Sequence, residues 1–312
     1  MRSYPLFLLC IVGLLSLLCR AFENPIKTVD GSDPFMVYQD GYYYLTTTTW
    51  TNIQISRGET IQDLIEATPK IIYTDTTASR CCNIWAPEIH WKSVEGAWYI
   101  YYVAGSASTQ DDQRIYALKS SATDIWASNW SFAGQIVIPN NDDWAIDPTV
   151  LITSAGEYLV YSSFVGSLQC LWIAEFITAV TEDVSADVEE GPAPLYYGGK
   201  TWLSFSASSC ATSSYSLGKL ELTGTSPLEA SSWACDYSPI HLSVSHITQH
   251  QNSNHINSPS GDEIWLVYHY STTSAVVCDG TRRTAVQPIT FSSGEPVFGT
   301  PDALTTELAE PV

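Results

Sequence analysis

Positively charged residues are scarce in this sequence. The 312 residues include 13 Lys plus Arg against 33 Asp plus Glu, which gives a formal net charge of −20 and an isoelectric point near 4.4. Such an acidic surface repels phosphate groups, which argues against nucleic acid and anionic membranes as partners. The same charge balance suits a soluble protein that works in a mildly acidic, extracellular medium.

Long apolar runs are also absent beyond the N-terminus. Arg2 precedes one apolar run, Leu6–Leu18, and Cys19–Ala21 ends in a small residue that signal peptidase accepts. This run is shorter than the roughly 20 apolar residues that a membrane span needs. We therefore expect residues 1–21 to be a signal peptide, residues 22–312 to form one domain, and the protein to be secreted.

Zinc-type cysteine spacing is lacking as well. Removal of residues 1–21 leaves six cysteines, Cys81, Cys82, Cys170, Cys210, Cys235 and Cys278. An even number of cysteines in an oxidising compartment favours disulfides. The neighbours Cys81 and Cys82 bond to each other, pair elsewhere or stay reduced, and the sequence does not decide among these alternatives.

Sustained helical periodicity is almost absent, and a repeat takes its place. Five times a glycine turn leads into a short strand rich in aromatic and β-branched residues, with the glycines 43 to 62 residues apart: Gly41, Gly96, Gly156, Gly199 and Gly261. Four of these turns follow another apolar segment, so the repeated unit is a hairpin. Five such units predict an all-β fold, a five-bladed β-propeller. A β-sandwich or solenoid has a similar strand density, but a sandwich does not explain one recurring unit.

Carboxylates occupy nearly the same place in four of the repeats. The acids eight or nine residues before the turn glycine are Asp33, Glu88, Asp147 and Glu190. Any one of them alone is more typical of a strand start that faces water. In a propeller, however, equivalent positions converge at one end of the central channel. Repulsion and desolvation raise pKa values there, which places a proton donor and a base in one pocket.

Aromatic residues are abundant, with 11 Trp and 18 Tyr. Most are expected to pack the blades, but Trp50, Trp85 and Tyr196 lie near the acids in the sequence. Flat rings beside carboxylates suit sugar binding, because the C–H face of a sugar stacks on a ring while its hydroxyls bond to acids. We predict that these three residues and Glu88 contact substrate.

Motifs for other chemistries are missing. The sequence has no Gly-rich phosphate loop, no Gly-x-Ser-x-Gly elbow and no His-Glu-x-x-His pair. His246, His250 and His255 cluster in a polar stretch, which we interpret as an exposed loop rather than a metal site. The sequence identifies no metal ligands. A bound metal is expected to be a hard ion near the propeller axis, held partly through water.

The blade starts resemble those of family-43 glycoside hydrolases, and more closely those of secreted exo-1,5-α-L-arabinofuranosidases. The resemblance covers nearly the whole chain after residue 21. The motifs that carry it are Ser32–Phe35, Trp85–Glu88, Ala145–Thr149 and Glu190–Pro194, supported by Asp30–Asp33, Thr74–Trp85 and Tyr215–Gly218.

The resemblance implies a propeller enzyme that inverts the anomeric centre. Asp33 would be the general base, Glu190 the general acid, and Asp147 the residue that orients the acid and tunes its pKa. Arg282 matches an arginine expected near the acid and the substrate. Glu189 is the main rival for the acid, but alternation along the strand should turn it to the opposite face.

The function implied is release of L-arabinose from terminal α-1,5-linked units of arabinan and its oligosaccharides. The alternatives are a xylan-directed β-xylosidase, an arabinoxylan arabinofuranohydrolase, or an inactive or lectin-like propeller. The expected partner is thus an arabinan- or arabinoxylan-type plant polysaccharide. We expect a monomer that needs no cofactor for its chemistry, with a structural calcium or sodium ion near the axis.

The fifth repeat departs from the family pattern. The family usually has Gly-His-Asn at this blade start, whereas this chain has Asn252 nine residues before Gly261. The stretch 243–257 is also more polar than an innermost strand should be. We therefore expect a distorted fifth blade, and hypothesise that 243–257 arises from a gene-model error such as a translated intron. Sequencing of the transcript would decide.

Overall fold

The computed structural model describes residues 21–138, 143–173, 188–212, 214–240, 248–273 and 276–312, with the backbone alone for 236–240 and 248–254. Within these residues the chain is nearly all β, with five blades arranged as a β-propeller. The fold predicted from the repeat is confirmed. The predicted signal peptide, apart from Ala21, lies outside the described residues. No helix in the described part is long and apolar enough to cross a membrane.

Each blade is an antiparallel sheet built from consecutive strands. The first blade contains β2 (Phe35–Gln39), β3 (Tyr42–Thr46), β4 (Ile53–Gly58) and β5 (Lys70–Tyr73). The second contains β6 (Cys82–Lys92), β7 (Ala97–Gly105), β8 (Arg114–Lys119) and β9 (Ser131–Gln135). The third contains β10 (Ala145–Thr153), β11 (Gly156–Val165) and β12 (Leu168–Trp172).

The last two blades follow the same plan. The fourth contains β13 (Glu189–Tyr197), β14 (Lys200–Ala207), β15 (Ser216–Leu222) and β16 (Trp233–Ile240). The fifth contains β17 (Thr248–Asn257), β18 (Ile264–Ser271) and β19 (Arg283–Pro288). Outside the blades lie β1 (Ala21–Phe22), β20 (Thr290–Ser292), β21 (Glu295–Val297), β22 (Leu308–Ala309), helix α1 (Ile61–Glu66) and a 3₁₀ turn (Ala230–Ser232).

The five glycine turns predicted from the sequence each join the first strand of a blade to its second strand. Each of these glycines has a positive φ, between 59° and 146°. L-residues rarely adopt that backbone conformation, so glycine is the residue that lets the hairpin close tightly. The repeat seen in the sequence is therefore the blade itself.

The ring closes where the N-terminal segment returns to the fifth blade. The Ile26 amide donates to the Thr284 carbonyl (2.9 Å), the Thr284 amide to the Lys27 carbonyl (3.0 Å), and β1 pairs with β22. Gly31 approaches β19 so closely that a Cβ atom there would lie 2.6 Å from the Thr284 nitrogen. This closure brings Asp33, two residues further on, beside the fifth blade.

The core lies between neighbouring blades. Phe35 and Ile53 of the first blade, for example, pack in one buried cluster with Ile84, Ile100 and Tyr102 of the second. Similar clusters join the third blade to the fourth and the fourth to the fifth. Burial of apolar area between sheets holds each blade against the next and fixes the rotation that relates their first strands.

The fifth blade corrects one expectation. Residues 248–257 form strand β17, not an exposed loop, and they pair with β18 around a register shift between Gln249 and Ser253. His255 is partly buried, its Nδ1 lies 3.2 Å from the Pro194 carbonyl oxygen, and desolvation lowers its pKa to about 4. His246 and the side chain of His250 lie outside the described residues, as do residues 241–247, so the gene-model hypothesis stays open.

Candidate active site

Irregular pairing occurs where the predicted acids lie. The register of β10 on β11 shifts between Ile146 and Thr149, on either side of Asp147. The register of β13 on β14 shifts directly after Glu190. Asp33 and Asp147 also have positive φ angles of 51° and 53°. A bulge bends a strand and re-aims the side chain at that point, so the local backbone turns these carboxylates out of the regular alternation.

These side chains meet in a pocket of about 250 Å³. It brings together Asp33 from the first blade, Asp147 from the third and Glu190 from the fourth. The complete lining is Ser32, Asp33, Thr48, Trp50, Trp85, Gln110, Trp144, Ile146, Asp147, Gln169, Glu190, Cys210, Cys278 and Arg282. Six of the eight site residues predicted from the sequence are in this lining.

Glu190 is held on both carboxyl oxygens. The Tyr215 hydroxyl donates to Oε1 (2.7 Å) and the Gln169 amide donates to Oε2 (3.0 Å). Burial raises the pKa of Glu190, while these two hydrogen bonds and the charge of Arg282 oppose the rise. The group is therefore fixed in orientation and keeps a proton at higher pH than an exposed glutamate does.

Asp147 supports the segment that carries Glu190. Its Oδ2 accepts a hydrogen bond from the amide of Gly191, the residue after Glu190 (3.0 Å). Burial, followed by the negative charges of Glu190 and Asp33, raises the pKa of Asp147 well above its usual range. Because the two carboxyls interact, they titrate as a pair and retain a proton between them.

Asp33 contacts its own blade and the neighbouring fifth blade. Its carboxylate accepts a hydrogen bond from the Thr48 hydroxyl, and its backbone amide donates to Nδ1 of His269 on β18 (2.9 Å). The other ring nitrogen of His269 lies 3.2 Å from Nη1 of Arg282. His269 is fully buried, so its ring has a fixed position between the Asp33 backbone and Arg282.

Two tryptophans form one wall of the pocket. A bridge of backbone hydrogen bonds between Trp50 and Ile84 joins the first and second blades (3.2 and 3.1 Å). It places the rings of Trp50 and Trp85 edge to face, with their centroids 5.8 Å apart. The predicted closeness of aromatic rings to the acids is thus seen for these two residues.

Glu88 is not part of the pocket lining. Its carboxylate pairs with Nε2 of His90 at 2.8 Å, two residues along the same strand. Burial raises the pKa of Glu88 and its pairing with His90 opposes the rise, and the charge of Glu88 in turn raises the pKa of Asp147. Glu88 is thus a half-buried carboxylate that is hydrogen-bonded to His90 near Asp147, and the predicted substrate contact stays a prediction.

Tyr196 is likewise not part of this pocket lining. It lies six residues after Glu190 on β13, and at about 3.3 Å per residue this separates the two by about 20 Å. Tyr196 lines a different groove of about 760 Å³, formed by the turns after β10, β13 and β15. Its hydroxyl accepts a hydrogen bond from the Ile152 amide at 2.8 Å.

Gln169, His269 and Thr48 contact the candidate catalytic residues and were not singled out from the sequence. A signal existed for two of them, because Gln169 and His269 are polar residues inside apolar strands. The sequence analysis named Tyr215 only as part of the motif Tyr215–Gly218. Glu189, the rival acid, is buried and is not in the pocket lining.

Two disulfides are present among the described cysteines. Cys81 bonds to Cys82, which is one of the alternatives left open by the sequence, and Cys210 bonds to Cys278. The prediction of disulfides in this chain is confirmed.

The described side chains provide no cluster of three or more His, Cys, Asp or Glu that is arranged to hold a metal ion. Glu88 and His90 near Asp147 are hydrogen-bonded to each other. The expected calcium or sodium ion stays a prediction, and no step proposed below passes through a metal.

Comparison with known proteins gives consistent matches. The model of the family described as "Glycosyl hydrolases family 43" matches residues 22–296. An extracellular exo-α-(1→5)-L-arabinofuranosidase of Streptomyces avermitilis is 31% identical over 90% of this chain and 64% of its own length. The chain thus spans slightly less than two-thirds of that relative.

Two further matches agree. The α-L-arabinofuranosidase 43 of Humicola insolens is 28% identical over 96% of this chain and 68% of its own length. The crystal structure of an α-L-arabinofuranosidase from Lactobacillus brevis superposes with a TM-score of 0.83 and 27% identity, covering 91% of this chain and 98% of the other.

Proposed function

Because the chain belongs to glycosyl hydrolase family 43, as its blade-start motifs predicted, we propose that it is an inverting glycoside hydrolase. It releases L-arabinose from terminal α-1,5-linked arabinofuranosyl units of arabinan and arabino-oligosaccharides. The observation that carries the proposal is the convergence of Asp33, Asp147 and Glu190, from three blades, on one small pocket walled by tryptophans.

Glu190 is the general acid of the proposed reaction. Burial raises its pKa, and repulsion by a charged neighbour favours retention of a proton on the Asp147–Glu190 pair. This proton passes to the glycosidic oxygen as the bond to the anomeric carbon breaks. Tyr215 and Gln169 then stabilise the carboxylate that remains, since both donate hydrogen bonds to it.

Asp33 is the general base. It takes a proton from a water molecule, whose oxygen forms the new bond to the anomeric carbon on the face opposite the leaving group. In inverting glycosidases the two carboxyls lie about 6.5–9.5 Å apart to admit this water. Asp33 and Glu190 lie on the first and fourth blades and line the same pocket, which supports such a separation.

Asp147 acts as a positioning residue in this proposal. Its hydrogen bond to the Gly191 amide fixes the backbone next to the acid, and its charge adjusts the pKa of the acid. Arg282 supplies positive charge beside the acid. Both reacting groups are carboxyls of this chain, so the proposed chemistry needs no cofactor.

The size of the pocket favours a single terminal sugar. Sites for drug-sized ligands occupy about 300–1,000 Å³, and this pocket, at about 250 Å³, is smaller. It accommodates one sugar unit between Trp50, Trp85 and the carboxyls, not several units of a continuous chain. This supports release of monosaccharide from a chain end.

Secretion is part of the proposal. The relative from Streptomyces avermitilis is named as extracellular, and two disulfides agree with an oxidising compartment. We propose that residues 1–21 are a signal peptide, that residues 22–312 form one domain, and that the enzyme acts as a monomer on plant polysaccharide.

The decisive experiment follows sugar release by NMR. The purified protein is incubated with linear arabinan, branched arabinan, arabinoxylan and an aryl α-L-arabinofuranoside. We expect arabinose from linear arabinan, with the β-anomer appearing first. The α-anomer first would contradict inversion, and a preference for arabinoxylan or release of xylose would favour the xylan-directed alternatives. No release from any substrate would favour a lectin-like propeller.

A further inference from the structure

A disulfide joins two loops at the mouth of the catalytic pocket. Cys210 follows β14 in the fourth blade, and Cys278 precedes β19 in the fifth blade, 68 residues further along the chain. Both cysteines line the pocket, and Cys278 is exposed to solvent. The bridge therefore spans the boundary between two blades directly beside the catalytic carboxyls.

The same two loops hold Arg282. Its Nη2 donates to the carbonyl of Cys210 itself (3.0 Å), and its Nε donates to the carbonyl of Val277, the neighbour of Cys278 (3.2 Å). Arg282 is only 4% exposed. Among the described residues no carboxylate lies within ion-pair distance of Arg282, so these two carbonyls and the contact with His269 hold it in place.

The position of Arg282 matters for the acid. Its charge lowers the pKa of Glu190 against the effect of burial. In a buried site the interaction of two charges depends steeply on their separation. A small displacement of the guanidinium therefore changes the protonation of Glu190 far more than it would at the surface.

The loop of Cys210 contributes a second contact to the acid. Tyr215, which ends this loop before β15, donates its hydroxyl to Glu190 (2.7 Å). Arg282 and Tyr215 also lie near each other, with the guanidinium carbon 6.0 Å from the centre of the tyrosine ring. One covalent bridge thus restrains both groups that adjust the acid from this side.

We propose that the Cys210–Cys278 disulfide is a positioning device for catalysis. It fixes the two carbonyls that hold Arg282, and through Arg282 it sets the charge opposite Glu190. The inference rests on the proposed function, in which Glu190 is the acid. It goes further by assigning a role in the reaction to a bridge whose sulfur atoms take no part in the chemistry.

The pH dependence of the folded enzyme separates this role from simple stabilisation. A disulfide that only restrains the unfolded chain changes stability and leaves the pH dependence of the folded enzyme alone. A disulfide that positions Arg282 changes the protonation of Glu190 in the folded enzyme. Loss of the bridge weakens the lowering effect of Arg282, so the pKa of Glu190 should rise.

The test compares the double variant C210S/C278S with the wild-type enzyme and with C81S/C82S. The control variant loses the other disulfide, which lies outside the pocket lining. We expect C210S/C278S to lose about tenfold or more in kcat and to shift the alkaline limb of its pH profile to higher pH. The control should keep the wild-type profile. Equal profiles in all three proteins, or equal changes in both variants, would overturn the proposal.

Reduction of the wild-type protein gives a second route if C210S/C278S does not fold. Two electrons and two protons from dithiothreitol convert the S–S bond to two thiols, and mass spectrometry after alkylation shows which bridge has opened. The same treatment is applied to the Arg282→Lys variant, in which the anchored guanidinium is missing. If the bridge acts through Arg282, reduction should change kcat much less in this variant than in the wild type. Additive effects would contradict the proposed route.

A measurement without substrate separates this inference from the proposed function. The carboxyl resonance of Glu190, assigned by its absence in Glu190→Gln, is titrated by ¹³C NMR in oxidised and reduced protein. A higher pKa after reduction supports the positioning role even if no arabinan is hydrolysed. Unchanged titration with normal hydrolysis of arabinan would refute the positioning role and leave the proposed function intact.

Discussion

Glu190 and Tyr196 lie on the same strand, β13, yet the structure gives them different surroundings. Glu190, at the start of the strand, is held by Tyr215 and Gln169 inside the pocket. Tyr196, near the end, is 42% exposed and lines a groove between turns. The comparison shows that position along the first strand of a blade decides whether a residue reaches the candidate site, because only the strand starts converge.

The largest effect is expected at the buried end of this strand. Glu190→Gln removes the proton donor and should lower kcat on arabinan by on the order of 10²- to 10⁴-fold. An aryl arabinofuranoside with a good leaving group needs less protonation, so the decrease in kcat of this variant should be much smaller on that substrate. The matched control is Glu221→Gln in the same sheet, which should keep wild-type rates. Equal losses on both substrates would remove Glu190 from the role of acid.

Asp33→Asn tests the opposite carboxyl and should cost a similar factor, on the order of 10²- to 10⁴-fold in kcat. Here a good leaving group should not help, because the base acts on water in the reaction of either substrate. Kinetics with arabinan and the aryl substrate check this expectation. A selective rescue by the aryl substrate would exchange the roles assigned to Asp33 and Glu190.

Tyr215→Phe tests, through the pH dependence of the reaction, how the Tyr215 hydroxyl affects the pKa of Glu190. The Tyr215 hydroxyl lowers the pKa of Glu190 by donating to its carboxylate. Without it the pKa rises, so the acid stays protonated to higher pH and the alkaline limb of kcat/KM moves up. We expect a loss of about tenfold or less in kcat. A limb that moves to lower pH would contradict the assigned direction.

The smallest effect is expected at the exposed end. Tyr196→Phe removes the hydroxyl that accepts from the Ile152 amide, and should cost at most about 1 kcal/mol in the free energy of unfolding. Its kcat and KM for an aryl substrate should equal those of the wild type. Trp85→Ala, which removes a ring from the pocket wall, should raise KM about tenfold. A comparable rise in KM for Tyr196→Phe would support the prediction that Tyr196 contacts substrate.

The site was predictable to the extent that it is repeated. The acids Asp33, Asp147 and Glu190 stand out because each blade presents the same position to the channel, so spacing from the turn glycine found them. Glu88 has the same spacing, but its carboxylate pairs with His90 two residues along the strand. Sequence spacing does not report such a contact, and therefore it could not separate Glu88 from the other three.

Aromatic content was a weaker guide. Trp50 and Trp85 were placed correctly near the acids, whereas Tyr196 is close to Glu190 in sequence and far from it in space. A β-strand extends by about 3.3 Å for each residue, so a short separation in an extended strand is a long distance. His269 was missed for the opposite reason, since it lies 236 residues after Asp33 and contacts its amide.

The local sequence determines the order of strands, the five hairpins and the carboxylate at four of the five blade starts, because turn glycines, β-branched residues and their spacing act over a few residues. The pairing of Cys210 with Cys278, the anchoring of Arg282 and the contact of His269 with Asp33 are decided only when the ring closes. Closure depends on the packing of whole blades against one another, and such packing sums many weak contacts between residues far apart in the chain.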